Sequence, residues 1–434
     1  MMSPGSGISL DPWFDNYADR AAGLSASEVR ALFAVASRPE VVSLAGGMPF
    51  VSALPFDRVR ASVDRILATE GATALQYGSG QGLPSLREKI LAVMAEEGIR
   101  AGVDDIVVTT GSQQGLDLVA KLFINPGDAI LAESPSYVGA MGVFRSYQAR
   151  VEHVAMDEHG MIPAALTERI AHLRTAGVPI KFLYLIPNFQ NPAGVTLSAT
   201  RRVEILDIAK ENGILIVEDN PYGLLWFDSP PPQALRSVDE GGVIYLGSFS
   251  KTFAPGLRVG WVVAPHGIRE KLVLASEAAI LSPSSFAQMV LADYFGTQDW
   301  KSQIDTFRGL YRDRRDAMTT ALAAHLPDVE HTDPAGGFYL WLTLPEGLDS
   351  KDMLPRAITE LVAYTPGTAF FADGRGQRHL RLAFCYPEPD FITEGVRRLA
   401  RVITEERELV ETFGPAHSEV QAAANLESPP PEVV

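Results

Sequence analysis

The chain has 434 residues, 46% of them apolar and 21% charged, which suits a large buried core and excludes global disorder. Its 37 basic and 53 acidic residues give a net charge of −16, which argues against nucleic acid or an anionic membrane as partner. The single cysteine, Cys385, excludes an internal disulfide, and the stretch His379-Leu-Arg-Leu-Ala-Phe-Cys385 reads as core. The N-terminus MMSPGSGISLDPWFD lacks a basic and then apolar leader. No uncharged apolar run reaches the roughly 18 residues of a membrane span. The eight histidines show neither HxH nor HExxH spacing, so no metal site is expected. The composition reads as a soluble, cytoplasmic protein, and at roughly 100–200 residues per domain it holds two to three domains.

In chain order, residues 1–25 read as a weakly structured arm, followed by a helix from about Ser27 to Ser37. A short apolar run and the turn signal GGMP occupy residues 41–56. From about residue 58, apolar runs alternate with amphipathic helical patterns. Ile106-Val-Val-Thr109 reads as a strand and Ser112 to Phe123 as a helix stopped by Asn125-Pro-Gly127. Ala129–Ala132 is a second strand, followed by a helix over about Tyr137–Tyr147 and a strand near Val151. Lys181–Pro187 is continuously apolar. Ser198 caps a helix that Asn212-Gly213 stops. Ile214–Val217, Val243–Leu246 and Val259–Val263 complete the series. Continuous apolar strands spaced by helices predict a mostly parallel sheet covered on both faces. Ligands bind such a sheet beyond the carboxyl ends of its strands. After about residue 295 the pattern becomes that of a smaller α+β unit. Its strands lie at Gly336–Trp341 and around Arg381, with helices near 351–362 and 388–411. The residues from Phe413 to Val434 carry acids but no Lys or Arg and read as a mobile tail.

The residues that follow three strands are of unusual kind. Asn188-Phe-Gln-Asn191-Pro-Ala-Gly194, Glu218-Asp219-Asn-Pro-Tyr222 and Gly247-Ser248-Phe-Ser250-Lys251-Thr252 bring an amide, a carboxylate, a phenol and an amine to one sheet edge. A lysine beside a carboxylate, a phenol and small hydroxyls suits a Schiff base with an aldehyde cofactor. Ser248, Ser250, Arg258 and the helix start Gly111-Ser112-Gln113 offer donors to a phosphate. Gly78-Ser-Gly-Gln-Gly82 is not a dinucleotide loop, because it lacks the full GxGxxG and follows no strong strand. Gly247–Thr252 is not a phosphate-binding P-loop, because no glycine precedes Lys251.

These motifs resemble the fold-type I pyridoxal phosphate enzymes of the class I/II aminotransferase family. The resemblance is carried by Pro187–Gly194, Glu218–Tyr222, Gly247–Lys251 with Arg258-Val-Gly-Trp261, Leu380-Arg-Leu-Ala-Phe384, and Tyr77–Arg87, and spans about residues 43–400. Ser43-Leu-Ala-Gly-Gly-Met-Pro49 and Glu133-Ser-Pro-Ser-Tyr137 are similar to the 2-aminoadipate and kynurenine aminotransferase-like branch. The resemblance implies an α/β fold with a large domain built on a mostly parallel seven-stranded sheet between helices. It implies domain limits of 58–295 for the large domain and 296–412 for the small one, with residues 1–57 joining the small domain. Pyridoxal 5'-phosphate is the implied cofactor. By the same resemblance Lys251 binds the aldehyde and shuttles the substrate proton, and Asp219 pairs with the pyridine nitrogen. Tyr222 and Asn191 bond the ring oxygen, and Tyr137 stacks on the ring. Ser112, Gln113, Ser248, Ser250 and Arg258 hold the phosphate. Tyr77 reaches the phosphate of a neighbouring subunit, which implies a homodimer with shared sites. Arg381 clamps the substrate carboxylate with help from Asn191 and the backbone near Gly47.

The implied reaction is ping-pong transfer of an amino group from an L-amino acid (2-aminoadipate, aromatic or branched-chain) to a 2-oxo acid, with 2-oxoglutarate as acceptor. Arg30, on the first predicted helix, has two readings: by resemblance to the aminoadipate-like branch, a guanidinium for the distal carboxylate of an acidic substrate, or a solvated helix charge. β- or γ-elimination on the same cofactor is the alternative chemistry. A third reading, a ligand sensor fused to a DNA-binding domain, fits poorly. The roughly 40 residues before Ser43 do not form a basic helix-turn-helix.

Overall fold

Residues 129 to 132 show how the sheet is built. Ala129 and Leu131 join one buried apolar cluster while Ile130 and Ala132 join another. Alternate side chains therefore enter opposite faces, and both faces are dry. That is why the strands read as continuously apolar.

The computed structural model describes residues 13–23, 38 and 40–414. Arg30, the helix expected over Ser27–Ser37 and most of the expected tail (415–434) lie outside the described residues. The strands are β1 (Val42–Ser43), β2 (Ile106–Thr109), β3 (Ala129–Ser134), β4 (Arg150–Asp157), β5 (Gly160–Met161), β6 (Ile180–Leu185) and β7 (Leu215–Asp219). They continue with β8 (Val243–Ser248), β9 (Gly260–Val263), β10 (Glu330–His331), β11 (Tyr339–Thr343), β12 (Val362–Ala363), β13 (Thr365–Pro366) and β14 (His379–Ala383). The large sheet has the order β2-β9-β8-β7-β6-β3-β4-β5. Pairings from β8 through β4 are parallel, whereas β9 runs antiparallel to both neighbours. The expected seven strands are all present. The eighth, β5, is a two-residue antiparallel extension of β4 and too short to carry a period in the sequence.

One cluster lies under the helices Pro163–Thr175 and Ala199–Asn212, through Leu166, Ile170, Leu173, Ile205 and Ala209. The other lies under Ser112–Phe123 and Val138–Ser146, through Leu116, Val119, Ala140 and Phe144. Each fully buried Leu or Ile contributes about 1.5–3 kcal/mol. The ends of Ala199–Asn212 follow local chemistry. Ser198 Oγ accepts the Arg201 N–H, and Gly213 leaves the helix at φ 63°, a conformation that glycine adopts without strain.

The second sheet is antiparallel, in the order β10-β11-β14-β13. The long helices Trp300–His325 and Pro389–Phe413 belong to this part of the chain, the latter running two residues past its expected end. The early segment 41–45 is tied here too. β1 pairs with β12, and the Ala383 N–H donates to the Leu44 carbonyl at 2.7 Å. The Ser136 N–H donates to Phe370 O at 3.0 Å, and Ala372 N–H to His153 Nε2 at 2.9 Å, linking the two parts. Cys385 is fully buried, as its apolar surroundings predict. No helix among the described residues is long and apolar enough to cross a membrane.

Candidate active site

The parallel strands place their carboxyl ends along one edge, and the chemistry-bearing residues follow there. β7 ends in Asp219, β8 in Ser248, and Tyr137 and Asn191 follow β3 and β6. Because β9 is antiparallel, its amino end lies at this same edge, which brings Arg258 beside the start of the helix Ser112–Phe123. A cavity of about 400 Å³ opens here. Ser112, Tyr137, Asn191, Asp219, Tyr222, Ser248, Ser250 and Lys251 line it from the large sheet, and Gly47 and Arg381 from the other side. A larger cleft of about 720 Å³, floored by Ala193 and Gly194, holds none of the predicted site residues.

Asp219 is buried, and Tyr184 Oη donates to its Oδ2 at 2.8 Å, while Oδ1 has no partner. Burial raises its pKa to about 7, opposed by the Tyr184 bond and the charge of Lys251. Lys251 Nζ donates to Gly47 O at 3.0 Å and lies 5.5 Å from the centre of the Phe338 ring. Tyr222 is buried, and its Oη donates to Tyr339 Oη at 3.5 Å. Burial, then the neighbouring Tyr339, push the Tyr222 phenol well above its usual range. Burial likewise raises Tyr137 to about 12.

Arg381 is a buried cation that no carboxylate among the described residues pairs with. Its Nη1 donates to Asn191 Oδ1 at 2.8 Å, and its Nη2 to Ala45 O at 2.6 Å and to Thr365 Oγ1 at 3.3 Å. Its Nε has no partner. The guanidinium lies 4.2 Å from the centre of the Tyr339 ring and 4.9 Å from that of Phe370. An uncompensated buried cation is costly, and an incoming carboxylate relieves that cost.

At the other end, Gly111 has φ 77° and opens the helix at Ser112, whose first N–H groups have no intrahelical partner. Ser248 Oγ accepts the Ser250 N–H at 3.0 Å. Arg258 Nη2 donates to Thr110 O at 3.2 Å. A side chain at Gly111 would fall 2.5 Å from that same nitrogen, so glycine also admits the guanidinium.

Three predicted residues stand apart from the cavity wall. Gln113 turns its side chain to Tyr137 Oη at 3.3 Å and to Gly139 O at 3.1 Å, so it props the phenol. Arg258 is exposed and lies behind Gly111. Tyr77 is 78% exposed and does not line the cavity.

Several lining residues were not foreseen: Met48, Val138, Gly139, Gly142, Ile186, Pro221 and Tyr339. Tyr339 sits in an apolar strand, and no local signal distinguishes it from core. A side chain on Gly47 would strike the Tyr339 hydroxyl at 1.7 Å, so the segment carrying Gly47 rests directly on that ring.

Behind the wall lie buried carboxyls. Glu133 Oε2 accepts Ile186 N–H at 3.0 Å and Gln190 Nε2 at 3.2 Å, and Gln190 Oε1 accepts Ala193 N–H at 2.8 Å. These bonds fix the loop that presents Asn191. Burial raises Glu133 to about 8, against those two N–H donors. Glu97 accepts from Asn220 Nδ2 at 2.8 Å and from Tyr245 Oη, and holds the residue next to Asp219.

Residues 40–399 match the family model for aminotransferase class I and II. An aromatic-amino-acid aminotransferase 1 of Thermococcus litoralis is 41% identical over 90% of this chain and 94% of its own length. A 2-aminoadipate transaminase of Thermus thermophilus is 37% identical over 90% of this chain and 97% of its own. A solved kynurenine aminotransferase of Pyrococcus horikoshii, in complex with PMP, superposes with a TM-score of 0.87 at 39% identity. That match covers 92% of this chain and 99% of the other.

Proposed function

The chain belongs to the class I and II aminotransferase family, and we propose that it moves the amino group of an aromatic, branched-chain or 2-aminoadipate-type L-amino acid to 2-oxoglutarate. It is a pyridoxal-phosphate-dependent transaminase of fold type I. The observation that carries the substrate reading is Arg381, a buried guanidinium that lines the cavity, has no carboxylate partner among the described residues and keeps one N–H, at Nε, without an acceptor.

The residues fit the cofactor. The partnerless Asp219 Oδ1 is an acceptor waiting for a protonated ring nitrogen. The helix start at Ser112, with Ser248, Ser250 and Arg258, offers donors suited to a phosphate. When bound, pyridoxal phosphate supplies an aldehyde that accepts the amino group and a ring that takes up negative charge. Lys251 Nζ would hold the cofactor through its aldehyde and would take up the proton of the substrate Cα. Tyr222 and Asn191 would hold the cofactor ring, and Tyr137, propped by Gln113, would pack against it. Arg381, Asn191 and the Gly47 backbone fix the substrate carboxylate.

Homodimerisation completes this reading. Tyr77 is exposed beside Leu75, and the Gly78 N–H donates to Ser282 Oγ, next to exposed Leu281 and Ile280. A second copy covering this apolar surface brings Tyr77 to its partner's phosphate. The proposed division assigns 58–295 to the cofactor domain, and 1–57 with 296–412 to the smaller one.

Titrating the cofactor-loaded protein with L-amino acids, without any oxo acid, tests the reading by absorbance. Loss of the yellow band, restored by 2-oxoglutarate, is the expected result. Persistent yellow colour with release of ammonia would instead assign elimination chemistry.

A further inference from the structure

Two glycines of the helix Val138–Ser146 line the catalytic cavity, and they differ in what they exclude. A side chain at Gly139 would fall 2.4 Å from the Tyr137 ring, so packing requires that glycine. Gly142 is exposed at the rim of the cavity, and a side chain there would meet no atom of the described residues within 4 Å. Its φ is not positive, so the backbone does not require glycine either. Glycine inside a helix is unfavourable relative to alanine, so the position carries a conformational cost with no return in packing among the described residues. The return lies in the cavity. Val138 and Gly142 are four residues apart, on the same helix face, and both line the cavity with Met48 and Tyr339. With the substrate carboxylate at Arg381 and Cα at Lys251, these apolar walls remain for the substrate side chain.

We propose that Gly142 sets the upper size of the side chain this enzyme accepts, its missing side chain leaving the volume that an aromatic donor fills. The inference rests on reading the cavity as the amino-acid site.

The test compares the holoenzyme with Gly142→Ala and Gly142→Leu, using L-phenylalanine and L-alanine as donors. Gly142→Ala should raise the thermal midpoint by about 1–3 °C, since the helix gains and nothing clashes. Gly142→Leu should lower kcat/KM for phenylalanine by about 10-fold or more and that for alanine by less than about threefold. Binding of 3-phenylpropanoate should weaken in parallel with the first, and that of propanoate should not change. An unaltered phenylalanine-to-alanine ratio overturns the inference, as does an equal loss for both donors, which would mean that this space serves the chain itself. Wild-type enzyme that converts neither donor overturns the reading of the cavity and the inference with it. Wild-type enzyme that converts both while Gly142→Leu keeps their ratio overturns the inference alone.

Discussion

The two walls of the cavity are built on different principles. The large-sheet wall is made of strand ends and of the loops and helix starts that follow them, and buried polar groups back two of these segments. Glu133 holds the Asn191 loop, Glu97 holds Asn220, and Tyr184 holds Asp219. The opposite wall is a strand. Arg381 lies within β14 between two aromatic rings, and its hydrogen bonds are to neutral oxygens alone. Among the cavity-lining residues of the first wall only Asp219 Oδ1 is a buried polar atom without a partner, whereas the second holds a cation lacking an anion. A satisfied wall suits a group that stays, and an unsatisfied one suits a ligand that comes and goes.

Substitutions on each wall can break that contrast. The largest effect is expected at Lys251, which works between the walls. Lys251→Ala should keep the cofactor non-covalently but lose turnover by about 10³-fold or more in steady-state assays. Near-normal turnover would remove Lys251 from the chemistry. Arg381→Gln comes next. It should raise KM for amino donors by about 10²-fold, the scale of losing one partner of a buried charged pair. Asp219→Asn keeps the shape and loses the charge. It should weaken cofactor binding by about 10-fold, measured by dialysis against pyridoxal phosphate.

The smallest effect sharpens the account of the backing groups. Glu133 holds its proton in the folded protein up to about pH 8, whereas its ordinary value is 4.5. As pH rises between these values the unfolded chain ionises first, so Glu133 makes folding progressively less favourable with rising pH. Glu133→Gln, which still presents an oxygen to Ile186 and Gln190, should flatten the fall of the thermal midpoint across that window. An unchanged slope would show that the carboxyl is already ionised in the fold.

The same contrast explains what was legible in the sequence. Asn191, Asp219, Tyr222, Ser248 and Lys251 interrupt the ends of apolar runs, where a sheet alone would not ask for them. Arg381 was legible only through the resemblance of Leu380-Arg-Leu-Ala-Phe384 to the family motif, since its strand otherwise reads as core. Tyr339 left no such trace, because a tyrosine in an apolar strand is ordinary core and only the close approach of Gly47 reveals its place. Gly142 was silent for the opposite reason, since its contribution is the absence of atoms. The order β2-β9-β8 was also unreadable, because a buried antiparallel strand has the same continuous apolar pattern as a parallel one. Yet it is this reversal that brings Arg258 to the helix start at Ser112.

The most direct test of the two-wall account is to measure pyridoxal phosphate affinity and amino-acid affinity separately in Asp219→Ala and Arg381→Gln. The account predicts that Asp219→Ala loses cofactor affinity. It predicts that Arg381→Gln keeps that affinity and loses only its hold on the amino acid. Equal loss of cofactor in both variants would contradict it.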